Sequence, residues 1–240
     1  MGVRGLDRGE RAALIINECQ NAMINGDFSH NDGLVGQIRE RGVVARIAAL
    51  AEACRQTGIL VVHSTMVLRP DRVGTTPSCL LLGALSKRGS CVEGQLDAEI
   101  HPELAPRPQD YVSRRVHGLS PFHGTELEPV LRERGVQTVL VTGVSTNVGI
   151  PGTCLEAVNR GFTAVVPEDC VAGSSREIHD FQIRNIVPLL ATVTTAAEVT
   201  AALEPAEALR ADLVSTGDRC QLHTSAGQAT MRRHSERSAD

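Results

Sequence analysis

A chain of 240 residues, 42% hydrophobic and 22% charged, has the make-up of one globular domain, long enough to bury a sizeable core. Aromatics are 2% and Trp is absent, so that core must be aliphatic; with a net charge of −4, no dense basic stretch and no aromatic stacking platform, a nucleic-acid partner is not expected. Seven cysteines without a CxxC pair argue against a zinc knuckle or a disulfide framework and for reduced thiols in the cytoplasm.

The N-terminus, MGVRGLDRGERAALIIN, lacks a signal-peptide core and a myristoylation pattern, and no apolar run approaches the ~20 residues of a membrane span. No membrane partner is expected. Six short runs read as strands follow in order, those within the body apolar almost throughout: Ala12–Asn17, Ile59–Ser64, Asp110–Arg114, Gln137–Thr142, Phe162–Val166 and Ala191–Thr194. Longer helical patterns separate them, which predicts parallel βαβ construction, and near-continuous apolarity predicts strands covered on both faces. The expected fold is therefore α/β, a doubly wound, six-stranded and mainly parallel sheet with helices on both faces.

Helix punctuation supports that reading. Thr125 to Glu128 and Thr195 to Glu198 have the Thr-x-x-Glu form of a capping box, and Gly58, Gly135 and Gly161 stand where helices should stop ahead of strands. Between Met66 and Gln109 the rhythm breaks into a Gly- and Pro-containing insertion with a short helix predicted at Cys79–Ser86, a segment expected to serve the site and a subunit contact. The globular domain is expected over residues 8–204. Residues 205–240 are read as a largely disordered extension, with a helix at Pro205–Val214 as an alternative for its first part.

Ligands of an open parallel sheet bind beyond the carboxyl ends of its strands. Three such ends carry chemistry here: Asn17-Glu18-Cys19-Gln20-Asn21, Arg115 through Thr125, and Gly143 through Thr153. ALIINECQN, SPFHGTEL and VLVTGVSTNVGIPGTCLEAVNRGFTAVVPEDCVAG resemble the corresponding blocks of the isochorismatase-like cysteine hydrolases, and the resemblance runs from about Arg11 to Glu204. It implies that family's fold, a hydrolase acting on a small-molecule substrate, and a homo-oligomer, dimer or tetramer.

The family's amide-cleaving members use an Asp base, a Lys and a Cys nucleophile. Matched residue by residue, these positions are Glu18, Arg115 and Gly149. Gly149 offers no thiolate, but isochorismatases proper also resemble this chain in having Gly there, and they act through proton transfer and water. On this resemblance the catalytic candidates are Glu18 as acid or base, Arg115 as anchor for an anionic group, and Gly149 with its backbone at a helix N-terminus. Arg115 stays charged and cannot relay protons, and pairing it with Glu18 would work against an acid role, so the anchor role is preferred.

Substrate-binding candidates are Asn21, His117, Ser120, Phe122, Val144, Ser145 and Val148, with a cis peptide implied near Val144-Ser145. Phe122 and Leu119 read as pocket wall; Thr125, Thr146 and Asn147 read as turn or positioning residues. The Asp-x-His zinc set of the nicotinamidase branch is missing from VVHSTMVLRPD, so neither metal nor cofactor is expected. Three readings stay open: a non-covalent hydrolase working through Glu18 on a small, anionic metabolite; a catalytically silent relative that binds a ligand or serves in an assembly; and a thiol-dependent amidohydrolase using Cys19 or Cys154.

Overall fold

A computed structural model describes residues 2–203. The chain divides into two units, Met1–Leu203 and Glu204–Asp240, and the expected extension over 205–240 lies outside the described residues. No helix among the described residues is long and apolar enough to cross a membrane.

The strands are β1 (Ala12–Asn17), β2 (Leu60–Met66), β3 (Tyr111–Arg115), β4 (Thr138–Val144), β5 (Thr163–Pro167), β6 (Val171–Ala172) and β7 (Thr192–Thr194). They form one parallel sheet in the order β3-β2-β1-β4-β5-β7, with β6 paired to the end of β4. The six expected runs are all strands. The seventh, β6, has only two residues, Val171 and Ala172, too few to show a period in sequence.

Alternation along β1 builds two cores. Leu14 and Ile16 pack with Leu34 and Ile38 of α2 (Asp32–Arg41) and with Ile47, Leu50 and Cys54 of α3 (Val43–Gln56). Ala13 and Ile15 face the other way, with Leu127 and Leu131 of α5 (Leu127–Glu133) and Ile150, Cys154 and Ala157 of α6 (Gly149–Asn159). Because both faces are covered, every residue of β1 and β4 is buried, whereas edge strand β3 alternates and leaves Val112 and Arg114 exposed. Burying the larger of these side chains contributes roughly 1.5–3 kcal/mol each.

The Thr195–Glu198 capping box forms: Thr195 Oγ1 accepts from Glu198 N–H at 3.3 Å while Glu198 Oε2 accepts from Thr195 N–H at 3.2 Å. The Thr125–Glu128 box does not. There the helix starts one residue late, Thr125 Oγ1 donates to Pro121 O at 2.6 Å and accepts from Leu127 N–H at 3.3 Å, and Glu128 is drawn to Arg160 and Arg132. The short helix of the insertion is α4 (Leu80–Arg88), one residue later than expected at its start and two at its end.

His179, on α7 (Arg176–Phe181), is buried with its Nδ1 3.5 Å from Thr146 Oγ1. Burial, reinforced by the nearby positive charge of Arg41, pushes its pKa down to about 4. The unfolded chain, near 6.5, therefore takes up the proton first as pH falls. This contribution to stability is intact above about pH 6.5 and is lost progressively towards pH 4. Thermal unfolding between pH 7 and 4.5 is expected to show the decline, each lost ~1 kcal/mol lowering Tm by roughly 2–4 °C. His179→Gln should flatten the profile; an unchanged slope would remove His179 as its source.

Candidate active site

The chain leaves β1 and crosses to β2 and β3 on one side, then returns to β4 on the other, so the strand order reverses between β1 and β4. Such a switch point opens a crevice beyond the strand ends. Asn17 at the end of β1 lies in register with Gly143 of β4, and Arg115 with Met66 at the end of β2. The three sequence segments are thereby brought to one place.

A cavity of about 200 Å³ occupies it, with Glu18, Arg115 and Gly149 all in its lining. Glu18 follows the strand with φ of +53°, a left-handed conformation that costs a non-glycine residue roughly 1–2 kcal/mol. Its N–H donates to Ser64 O at 2.8 Å, and its carboxylate is paired with Arg115 Nη2. The Arg115 side chain is only 3% exposed, that of Glu18 17%. Arg115 Nε reaches Gly118 O at 3.5 Å, while Nη1 is buried with no protein partner among the described residues. The expectation that Arg115 would serve an anionic ligand instead of Glu18 is thus corrected: one guanidinium edge holds Glu18, and another nitrogen is left over.

Backbone geometry closes the turn after β4. Gly143 has φ of +96°, and a Cβ there would lie 2.2 Å from Asn17 O, so only glycine lets β4 press against β1. A Cβ at Gly149 would meet Asn17 Nδ2 and Val144 O, each at 3.0 Å. Those two atoms are hydrogen-bonded to each other at 2.8 Å, so the Asn17–Val144 bond lies against the position a nucleophilic side chain would leave from. The peptide Val144-Ser145 is cis. Thr146 N–H donates to Ala172 O at 2.8 Å, and Asn147 exchanges hydrogen bonds with Ser174 at 2.7 and 2.9 Å, which pins the turn. At this helix N-terminus the Val148 N–H donates to Ser145 O at 3.3 Å, while that of Gly149 opens α6, where no intrahelical partner exists.

The remaining candidates divide. Val144, Ser145 and Val148 line the cavity, as do Gly118 and Leu119. Asn21, His117, Ser120 and Phe122 do not, and their expected placement in the lining is corrected. Asn21 Nδ2 donates to Leu96 O at 2.8 Å, tying down the insertion rather than orienting Glu18. His117 stands edge-on to His123 with ring centroids 4.9 Å apart, and Ser120 Oγ accepts from Phe122 N–H at 3.2 Å. Phe122 turns inward to stack on Phe162 at 6.1 Å, because a large apolar ring gains more from that core than from a solvent-facing wall.

Several lining residues carried no sequence signal. Met23, Leu34, Leu81, Leu82 and Leu85 make an apolar wall, the last three from α4, and Arg88 at the end of α4 adds a second guanidinium with no ion-pair partner among the described residues. Gln20 belonged to the motif but had no assigned role. Buried, it donates to Met66 O at 2.9 Å and Ala98 O at 2.8 Å and accepts from Met66 N–H at 2.8 Å, fastening the insertion to the strand ends. Neither candidate thiol is activated: burial, helped by Glu18, pushes Cys19 up to about 12, and burial does the same to Cys154; Cys91, close enough to feel Glu18 and Arg115, is likewise pushed up to about 12 by burial. Among the described residues no three His, Cys, Asp or Glu side chains cluster in a way that could hold a metal ion.

Comparison with known proteins agrees with this construction. Residues 12–198 match the Isochorismatase domain. The uncharacterized isochorismatase family protein YecD of Escherichia coli O157:H7 is 40% identical over 82 residues, 34% of this chain and 44% of that protein, so the chain spans less than half the length of that relative. The maleamate amidohydrolase of Pseudomonas putida is 28% identical over 175 residues, covering 73% of this chain and 78% of that one. The crystal structure of an isochorismatase family protein from Desulfovibrio vulgaris superposes with a TM-score of 0.70 at 27% identity over 81% of this chain and 99% of that one. The strand order, the switch-point cleft and a family match across residues 12–198 lead to one conclusion: the chain belongs to the isochorismatase family.

Proposed function

We propose that this chain is a hydrolase that cleaves a small, carboxylate-bearing metabolite by acid–base chemistry at Glu18, without an enzyme thiol. The observation that carries the reading is the Glu18–Arg115 pair in the cavity wall, with Arg115 Nη1 buried and unpartnered beside it. A substrate carboxylate reaching Nη1 would satisfy that donor with a charge-assisted bond, and Arg88 makes the cavity's formal charge positive. The base of this reading is Glu18. It would take a proton from water as that water attacks a carbonyl carbon, and return the proton to the leaving amine as the tetrahedral intermediate collapses. The oxyanion would form at the N-terminus of α6, where the Gly149 N–H and the helix dipole favour negative charge. An enol ether would require Glu18 to deliver a proton before water adds.

The experiment is incubation with maleamate, the substrate in the name of the Pseudomonas relative, and separately with isochorismate, followed by proton NMR. Turnover of maleamate supports the base role and turnover of isochorismate the acid role. Iodoacetamide under native conditions should leave either activity unchanged, because Cys19 and Cys154 are buried and protonated. Loss of activity on alkylation that persists in Cys79→Ser, which removes the exposed thiol just ahead of α4, would return the mechanism to a displaced thiol. A second reading, a catalytically silent ligand-binding relative, is favoured by the same ion pair: Glu18 and Arg115 satisfy each other, and all three catalytic positions differ from the amidohydrolase pattern. Binding of both compounds without turnover of either would establish it.

A further inference from the structure

A second cavity, of about 510 Å³, lies between α3 and residues 102–107. Ile16, Ala48 and Ala51 contribute small apolar surface to it. The polar side is a buried cluster. The Asp110 carboxylate, with its side chain fully inaccessible, accepts Arg55 Nε at 3.1 Å and Nη2 at 2.8 Å, the Arg107 N–H at 2.8 Å, and His63 Nε2 at 3.2 Å.

That bonding determines the state of the histidine. Burial alone would raise the Asp110 pKa, but the Arg55, Arg107 and His63 hydrogen bonds together hold it below the usual carboxylate value, so it acts as an acceptor. His63 Nε2 is then the donor of their bond. Burial, opposed by Asp110 but assisted by Arg55, keeps the His63 ring below its ordinary pKa and neutral near pH 7. A neutral ring donating through Nε2 carries its lone pair on Nδ1. His63 is 1% exposed, it lines this cavity, and its Nδ1 is buried with no partner among the described residues.

A structural role accounts for most of the cluster, since the Arg55–Asp110 pair fastens the start of β3 to α3. It does not account for the orphaned acceptor. An unpaired buried acceptor costs roughly 1–3 kcal/mol, and native proteins hold few of them. Nor does it account for the cavity that His63 lines.

We propose that this cavity is a second ligand site, taking a small uncharged molecule that places an N–H or O–H donor on His63 Nδ1 and an aliphatic body on Ile16, Ala48 and Ala51. The charge follows from the wall. Arg55 is offset by Asp110 and Glu52, at 2.8 and 3.4 Å, and the other two charged residues of the lining, Arg107 and Glu103, are of opposite sign, so the wall carries no positive charge in excess to attract an anion. A carboxylate has no proton to give a lone pair, and Arg55 disfavours a further cation beside the ring. The site bears on both strands that deliver the proposed catalytic pair: Ile16 is two residues before Glu18, and Asp110 is five before Arg115.

The test is titration of the full chain, labelled with 15N in its histidines, with propionamide as probe and propionate as control. The His63 signal is assigned by its loss in His63→Gln. Propionamide should shift the His63 Nδ1 resonance saturably and propionate should not. The shift should persist in Glu18→Gln, which separates this site from the cleft, and disappear in Ala51→Leu, whose side chain fills the cavity. If Ala51→Leu does not fold, Ala48→Leu, at a half-buried position of the same lining, serves instead. An unmoved Nδ1 resonance, an equal response to propionate, or a shift that survives the filled cavity would overturn the proposal.

Discussion

Replacing Glu18 by Gln is expected to lower kcat/KM by roughly 10²–10⁴-fold, the usual worth of a positioned general acid or base. Gln keeps the length of the side chain and an oxygen for Arg115 Nη2 to bind, but it neither takes nor returns a proton at the water. The substitution also removes the counter-charge of a guanidinium that is 3% exposed. Breaking a fully buried pair costs roughly 3–5 kcal/mol. Because the Glu18 side chain is 17% exposed and Gln retains a hydrogen bond, a loss at or below the low end of that range is expected. The variant should therefore stay folded with a lowered Tm, and turnover is to be measured below its transition. Retention of wild-type kcat/KM in a folded variant would remove Glu18 from the chemistry.

Arg115→Met should act mainly on binding. Loss of a charge-assisted hydrogen bond is worth about 1.5–3 kcal/mol, or roughly 10–150-fold, and it should appear in KM if the substrate carboxylate rests on Nη1 in ground and transition states alike. Arg115→Lys is the informative partner. A single ammonium on a flexible stem keeps the charge but lacks the fork that lets one residue hold Glu18 and a ligand at once. It should restore the pairing with Glu18, and hence Tm, more than it restores KM. Calorimetric titration with maleate gives the same answer without turnover and so applies to the silent reading as well. Unchanged maleate affinity in Arg115→Met would mean that the unpartnered nitrogen is not an anchor.

The contrast between these residues shows where sequence reading reaches its limit. Glu18, Arg115 and Gly149 were identifiable because the resemblance to the family matches them to its Asp, Lys and Cys positions, and because they lie at or just beyond strand ends, which a parallel sheet delivers to one edge whatever the loops do. The division of Arg115 between Glu18 and the cavity was not identifiable, because it depends on register between β2 and β3 and on the left-handed turn at Glu18. Phe122 shows the same limit. Its place in the loop was plain, its direction was not, since direction was set by Phe162, forty residues away. Asn17 reads as the last residue of an apolar strand, yet it closes the space at Gly149 through a bond to Val144 in another strand.

What the amino-acid order determined alone was the local grammar: six runs of strand length, the Thr195–Glu198 cap, the glycines that end helices, and the chemistry available at three strand ends. Those features rest on periodicity, propensity and hydrogen bonds within a few residues, so they are written locally. The tertiary structure decided which side chains share a cavity: α4 as its wall, Gln20 as the clasp on the insertion, and the isolation of His63 Nδ1. Those contacts join residues tens of positions apart, and their geometry depends on how two covered faces of one sheet pack, which no local pattern encodes.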